Sequence, residues 1–519
     1  MNTRHWDALI IGGGTAGLSA AQMLGRARRR TLVIDAGEPR NRFAAHLHGV
    51  LGHDGLDPAE LLARGRGEAR AYGVEIEEGR VADIRDDGRM LRITRADGTV
   101  DLARAALIAT GLHDDLPPVP GLAAQWGRGV LHCPYCHGFE VAGRRLGVLA
   151  TSAQSLHQIE LLRQWSENVT AFTAAIEPLA DDVRARLVAR GIQIVTTPVT
   201  EVLSEGETLR AVRTADGSDL AIDALFTAAM PVIDLGFADA LALNREPDQP
   251  GAPLVADPLM GRTSHPRVWA AGNSVAPYGN VPVSMASGSM AGAAINAALV
   301  AEDAADAVET RRTERNAHWE ERYADSDRFW SGRVNATLAA VVDTLTPGSA
   351  LDLGCGEGGD AVWLAEHGWD TTGIDVSPTA ISRASSAALG RGLDESRVRF
   401  VAGDAAEALP EHTFDLVTSS FLHSWEEDFP RIAILRAASE RVAPGGRMLV
   451  VSHAAPPPWA REQPTHAHAM RAPQEELALL ALDPAEWHAE RVEVVARDVT
   501  DPEGNPAMLD DGVLLLRRR

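Results

Sequence analysis

The chain has 519 residues, a formal charge of −23, 45% hydrophobic residues, few aromatics and three cysteines. That length exceeds what one hydrophobic core supports and predicts three or four domain-sized units of soluble α/β type. The negative balance argues against nucleic acid or anionic membrane as a partner, and so few cysteines argue against a secreted disulfide scaffold and for a reducing cytoplasm.

The N-terminal residues pass directly into an apolar strand (Ala8 to Ile11) and show no cleavable signal. Gly12, Gly13, Gly14, Thr15, Ala16 and Gly17 follow, and a strand, a glycine loop and a helix in that order give a G-x-G-x-x-G match its meaning. Gly12 permits the tight turn, Gly14 lets a pyrophosphate approach the backbone, and Gly17 lets helix pack on strand, with Ala16 in the same loop. The next strand, Thr31 to Asp35, ends in a carboxylate at the distance expected for a ribose hydroxyl. The basic run between Arg26 and Arg30 falls at the end of the first helix and reads as a solvated helix end. A third apolar strand, Ala106 to Ala109, ends at Thr110 and Gly111.

Two of the three cysteines then stand in His132-Cys133-Pro134-Tyr135-Cys136-His137-Gly138. A C-x-x-C pair cycles between dithiol and disulfide, a depressed thiol pKa supplies the attacking thiolate, and an adjacent histidine can move the proton. A zinc half-site would need a second ligand cluster, which the neighbouring sequence does not offer. The same tetrapeptide occurs in glutaredoxins, but the surrounding element order is not thioredoxin-like.

Residues 117–240 read as an inserted second nucleotide fold without its fingerprint. A strand near 145–150 and a helix from Ser155 are expected, yet only Gly147 remains of the glycines, placed before the strand. No arginine pair follows the next strand, Asn168 to Thr173, to hold a 2′-phosphate, so a tight NADPH site is not expected. Val268 to Ala271, ending at Gly272 and Asn273, returns to the first fold, and a helix from Ser284 to Leu299 follows. The side chain of Asn273 is able to bond a ribityl chain, and the helix amides are able to face the flavin pyrimidine.

Together these segments resemble the low-molecular-weight thioredoxin reductase family over residues 5–302. The resemblance implies a FAD domain built from residues 1–116 and 241–302, the insertion at 117–240, and a homodimer formed through this half. It also implies that Cys136 lies against the flavin, that Cys133 meets the substrate, and that His137 takes the position of the usual aspartate acid/base. Asn273 departs mildly from the family's Gly-Asp. The degenerate insertion resembles the gliotoxin-type dithiol oxidases within this family, which pass electrons from a dithiol through the cysteines to FAD and oxygen.

Between Ala301 and Arg322 the sequence is charged and Ala-rich, which predicts a solvated helix or semi-rigid spacer, with a linker at 303–318. A new α/β domain is expected over 319–519. Its first strand runs to Asp352, then Gly354, Cys355, Gly356, Glu357 and Gly358 form a glycine loop before a helix near Asp360. The next strand ends at Asp375, as a ribose diol requires, and the third at Asp404, able to meet an adenine amino group. Strands at 414–421 and 446–452 continue the series. This half resembles class I S-adenosylmethionine-dependent methyltransferases, with Cys355 a structural loop residue. Trp319, Tyr323, Phe329 and Trp330 resemble the N-terminal cap of the tellurite-resistance and thiopurine methyltransferase group, although a plain packed helix accounts for them equally. His423 is a candidate proton acceptor or a pocket-wall residue, and His466 and His468 point only weakly to a metal site, so none is expected.

The expected fold class is α/β, a flavoprotein with two dinucleotide-binding domains followed by a Rossmann-like class I methyltransferase domain. The cofactors are FAD and S-adenosylmethionine, and the expected substrate is a small thiol or disulfide. Three alternatives stay open: an NADPH-dependent disulfide reductase, a reductase and methylase of chalcogen oxyanions, and a flavin redox sensor acting on the methyltransferase.

Overall fold

The computed structural model describes residues 3–247, 251–422, 429–460, 470–501 and 503–519. Contacts divide them into two compact units, 1–304 and 305–519.

In the first unit, Arg4–Ile11 (β1) and Thr31–Asp35 (β2) flank Thr15–Arg26 (α1), a right-handed βαβ start. Glu75–Glu78 (β3), Val81–Asp86 (β4), Leu91–Arg95 (β5) and Val100–Ile108 (β6) complete a sheet of order β3-β2-β1-β6-β5-β4. Residues of β1 and β6 are buried on both faces, one set packing under α1 and the other against the β4–β5 meander, which is why these strands read as unbroken apolar runs. The inserted domain carries Val130–Leu131 (β7), the short helical turn Pro134–His137 (α2), Leu146–Leu149 (β8), Ser155–Leu162 (α3), Val169–Phe172 (β9), Gln193–Val195 (β10) and Ala224–Thr227 (β11). Its sheet runs β10-β9-β8-β11-β7. Gly147 lies within β8, not before it. A Cβ there would come 2.9 Å from Leu225 and 3.1 Å from Phe172, so this glycine serves sheet packing.

The chain returns to the first sheet as Val268–Ala270 (β12), parallel to β6, and enters one 44-residue helix, Val281–Ala324 (α4). The expected short helix and charged spacer are thus continuous, and the residues expected as a linker are helical. Part of α4 is long and apolar enough to cross a membrane by length and composition. Here its small residues pack on α1. A Cβ on Gly288 would meet the Ala16 carbonyl at 2.0 Å and one on Gly292 the Ala20 carbonyl at 2.8 Å, while Ala291, Ile295 and Leu299 enter the core under β1.

The second unit contains Ser349–Leu353 (β13), Gly359–Glu366 (α5), Asp370–Asp375 (β14), Pro378–Gly390 (α6), Val398–Ala402 (β15), Phe414–Ser420 (β16), Val442–His453 (β17), Trp487–Thr500 (β18) and Pro506–Arg518 (β19). The sheet order is β15-β14-β13-β16-β17-β19-β18, parallel except for the terminal hairpin. Order reverses at β13, so the carboxyl ends of β13 and β16 form the crevice where ligands bind in such sheets.

Candidate functional sites

β1 delivers the chain to Gly12 at φ +107°, where a Cβ would sit 2.3 Å from the Ala109 carbonyl oxygen. Only glycine adopts this turn against β6 without a clash. A Cβ on Gly17 would lie 1.9 Å from the Gly12 carbonyl, so that glycine sets the closeness of α1 to the loop. Gly14 has open space around it and heads α1 without a side-chain cap. Free first-turn amides beside an open glycine are an anion cradle, and they fit a pyrophosphate.

Gly12, Gly14, Ala16, Asp35, Thr110, Gly111, Gly272 and Asn273 line one cavity of about 980 Å³ together with Cys133, Cys136 and His137. Asp35 accepts from the Gly13 amide at 3.1 Å, and its other oxygen accepts from Arg66 at 2.6 Å. A ribose hydroxyl would therefore share this carboxylate with a guanidinium that no local sequence pattern pairs with it. The amide nitrogen of Asn273 donates to the Ala276 and Gly279 carbonyls at 2.9 Å each, which leaves its Oδ1 as the acceptor for a ribityl hydroxyl.

Cys133 precedes α2, and its Sγ accepts the Cys136 S–H at 2.7 Å. That hydrogen bond, helped by the amides of Cys136 and Tyr135, brings the Cys133 thiol down to about 6. Cys136, as the donor of that bond and part-buried, is pushed well above the usual thiol range. Cys133 is the thiolate of the pair at neutral pH. Burial lowers the pKa of His137, leaving a neutral imidazole able to accept a proton. His132 is lowered for the same reason, and its ring contacts the Thr227 carbonyl at 3.3 Å.

The inserted domain meets the same cavity through Gln154, Ser155 and Gln158 at the start of α3. Its loop differs from the one after β1. The Ser155 hydroxyl accepts from the Thr151 amide at 3.1 Å, and the amides of Ser155 and Leu156 donate to the carbonyls of Ser152 and Ala153. After β9, Glu177 accepts from the Thr173 hydroxyl at 2.7 Å, the Leu179 amide at 3.0 Å and Arg184. These bonds, that of Thr173 foremost, hold its carboxyl below the usual range.

In the second unit, Gly354, Gly356 and Gly358 have φ between +52° and +83°, and the loop they form curls around the Asp375 carboxylate. Asp375 accepts from the Gly356 and Ser377 amides at 2.9 and 3.0 Å, while burial raises its pKa to about 6. Asp352 is buried and accepts from Thr418 at 2.9 Å. Its Oδ2 is buried without a hydrogen-bond partner among the described residues, and burial raises its carboxyl well above the usual carboxylate range. Asp404 is reached by Asn316 at 3.2 Å and Arg315 at 3.6 Å, so an adenine amino group would share it with α4. The cap is fastened to this loop. Glu357 accepts from the Phe329 and Trp330 amides and from Arg383, Glu320 bonds Ser377 and Thr379, and the Tyr323 hydroxyl accepts from the Trp330 indole at 2.9 Å. Cys355 is buried beside Gly373, and desolvation raises its thiol, which makes it an inert packing residue. His423, His466 and His468 lie outside the described residues.

The profile of the pyridine nucleotide-disulphide oxidoreductases matches residues 6–293, more than half of the chain. The chain belongs to the pyridine nucleotide-disulphide oxidoreductase family. Within it, thioredoxin reductase tcpT of Claviceps purpurea is 33% identical over 57% of this chain and 95% of its own length. Thioredoxin reductase sirT of Leptosphaeria maculans is 30% identical over 56% and 93%. The crystal structure of HlmI is 40% identical with TM-score 0.56, covering 59% of this chain and 96% of that one. A methyltransferase-domain profile matches residues 350–446. This oxidoreductase is therefore a thioredoxin reductase-like FAD protein fused to an S-adenosylmethionine-dependent methyltransferase domain.

The structure gathers the expected flavin residues around one cavity, except Gly17, which packs behind the loop. Sequence reasoning missed Arg66, the Arg40–Asp114 pair at 2.7 Å on the cavity wall, Gln158, Glu357 and Arg315. Each acts across a long sequence separation, and none carries a local pattern that marks it.

Proposed function

We propose that the flavin half oxidises small dithiols to disulfides and that the methyltransferase half methylates thiolates of the same class of molecule. The observation that supports this direction is the loop after β8. The amides of Thr151, Ser155 and Leu156 bond within the loop, and Arg184, which follows β9, is already paired with the Glu177 carboxylate at 2.9 Å. The alternative reading, an NADPH-dependent reductase, would need this loop to turn its amides toward a phosphate without a glycine to let it approach.

In oxidation, a substrate thiolate attacks Cys133 Sγ of the Cys133–Cys136 disulfide, and Cys136 leaves. The second substrate thiolate then displaces Cys133, closing the substrate S–S bond. Two substrate S–H bonds become one S–S bond, and two electrons and two protons pass to the cysteine pair. FAD held in this cavity would supply a two-electron acceptor for the cysteine pair, with oxygen as the final acceptor and hydrogen peroxide as its product. Gly12, Gly14 and the α1 amides would hold the pyrophosphate, Asn273 Oδ1 would orient the ribityl chain, and the neutral imidazole of His137 would accept a proton released at the thiols. Bound S-adenosylmethionine supplies an electrophilic methyl group. A substrate thiolate needs alignment with it more than a strong base, and on this reading Asp375, Asp404 and the Tyr323–Trp330 cap would fix the donor. By family resemblance, the protein assembles as a homodimer through its flavin half.

Anaerobic visible spectroscopy of the purified protein separates the readings. Bleaching of the flavin by a small dithiol, with colour restored by air, is expected. Rapid bleaching by NADPH would overturn the oxidase direction.

A further inference from the structure

The adenine of S-adenosylmethionine presents a donor, its 6-amino group, and strand order assigns the acceptor to Asp404. In the structure Asp404 spends both carboxylate oxygens on its own chain. Oδ1 accepts from the Ala406 amide at 2.9 Å, while Oδ2 accepts from the side-chain amide of Asn316 at 3.2 Å and faces the Arg315 guanidinium at 3.6 Å. Arg315 is 8% exposed, and its guanidinium also lies over the Phe429 ring, 5.4 Å from the centroid. The charge of Asp404 is thus balanced by a buried cation before any ligand arrives.

These contacts come from one helix face. The part of α4 from Ala305 onward belongs to the second unit. There Arg312, Arg315 and Asn316 stand at i, i+3 and i+4, and all three reach the segment after β15: Arg312 pairs with Glu407, and Arg315 and Asn316 with Asp404. That segment is closed on itself, because the Glu407 and Ala408 amides donate to the Asp404 carbonyl at 2.9 and 2.8 Å. The backbone of Asp404 is therefore fixed where the helix meets it.

A carboxamide carries an acceptor as well as its donors. Asn316 gives its Nδ2 to Asp404, and its Oδ1, on the other branch of the same group, receives no hydrogen bond from the described residues. Donation to an anion polarises the amide and makes that oxygen a better acceptor. We propose that Asn316 Oδ1 reads the 6-amino group of the cofactor's adenine, with Asp404 and Arg315 as the positioning residues behind it. The base is then selected by a residue of α4, outside the stretch 350–446 that the methyltransferase profile matches. A 6-oxo base would set two acceptors against each other and leave Oδ1 unpaired. The proposal rests on S-adenosylmethionine binding by the second unit, and on neither the thiol substrate nor the oxidase direction.

The test titrates the full chain by calorimetry with two probes that differ only in a 6-amino or 6-oxo group, S-adenosylhomocysteine and S-inosylhomocysteine. The parent should bind the amino compound roughly 10–100-fold more tightly, the penalty of one buried acceptor left unpaired. Asn316→Leu should weaken S-adenosylhomocysteine by about that factor and leave S-inosylhomocysteine nearly unchanged, so that the preference disappears. Retained binding of the 6-oxo probe also shows that the site is still folded. Asn316→Ser, whose hydroxyl can donate or accept, should lose the preference in the same way, and it decides the matter if leucine disturbs the helix. Equal weakening of both probes, with the parent's ratio preserved, is what a merely structural Asn316 would give and would overturn the proposal. A parent without preference would overturn it too. Failure of the parent to bind S-adenosylhomocysteine at all would remove the cofactor assignment of the second unit along with it.

Discussion

The loops after β1 and after β8 occupy the same place in two copies of one fold, and they differ in how the helix that follows presents its first amides. After β1, three glycines leave the head of α1 uncapped and open. After β8, the Ser155 hydroxyl and the turn around Ser152 take up the amides of Thr151, Ser155 and Leu156. Strand, loop and helix alone therefore do not make an anion site. Donors left without a partner make it, and a glycine lets the ligand come close enough to become that partner.

The largest effect should come from closing the open loop. Gly17→Val places a side chain where a Cβ is already 1.9 Å from the Gly12 carbonyl, and the protein should purify without flavin, read as loss of its visible absorbance. Next, Cys133→Ser with Cys136→Ser should abolish bleaching by a dithiol while leaving the flavin bound. Methyl transfer to a thiol should continue unchanged in this variant; its loss would favour the redox-sensor reading.

A smaller effect should appear in Cys136→Ala, where Cys133 loses its S–H donor. The midpoint of its alkylation by iodoacetamide should rise from about 6 toward the ordinary thiol value of roughly 8.5. In the second unit, Asp375 must ionise to accept fully from a ribose diol. Affinity for S-adenosylmethionine should therefore be greatest above about 6 and fall as pH drops through that value, by at most about tenfold per pH unit for one proton. Calorimetric titration at several pH values checks this, and a flat profile would remove Asp375 from the site.

The smallest effect sharpens the loop comparison itself. Ser155→Ala frees the Thr151 amide and should cost about 0.5–1.5 kcal/mol of stability. On its own it should not produce bleaching by NADPH, because Arg184 stays paired with Glu177 and no glycine opens the loop. Bleaching by NADPH after this single change would show that the amide alone closes the site.

By itself, the sequence determined the order of the domains, the flavin loop and the redox pair. These are local features: Gly12, Gly14 and Gly17 act within one turn of each other, and Cys133 and Cys136 within one turn of helix. It also placed Asp352, Asp375 and Asp404 at strand ends, because strand length and glycine spacing carry that information. Only the tertiary structure decided which partners these carboxylates keep. Arg66 on Asp35, Arg315 on Asp404 and His48 beside Glu140 come from distant segments whose charges look like ordinary surface residues in sequence. It also decided that the charged stretch after Ala301 is one helix with the apolar stretch before it. Hydrophobic periodicity ends at Leu299, but backbone hydrogen bonding does not, and Arg312, Arg315 and Asn316 find partners on Glu407 and Asp404 that no local pattern announces.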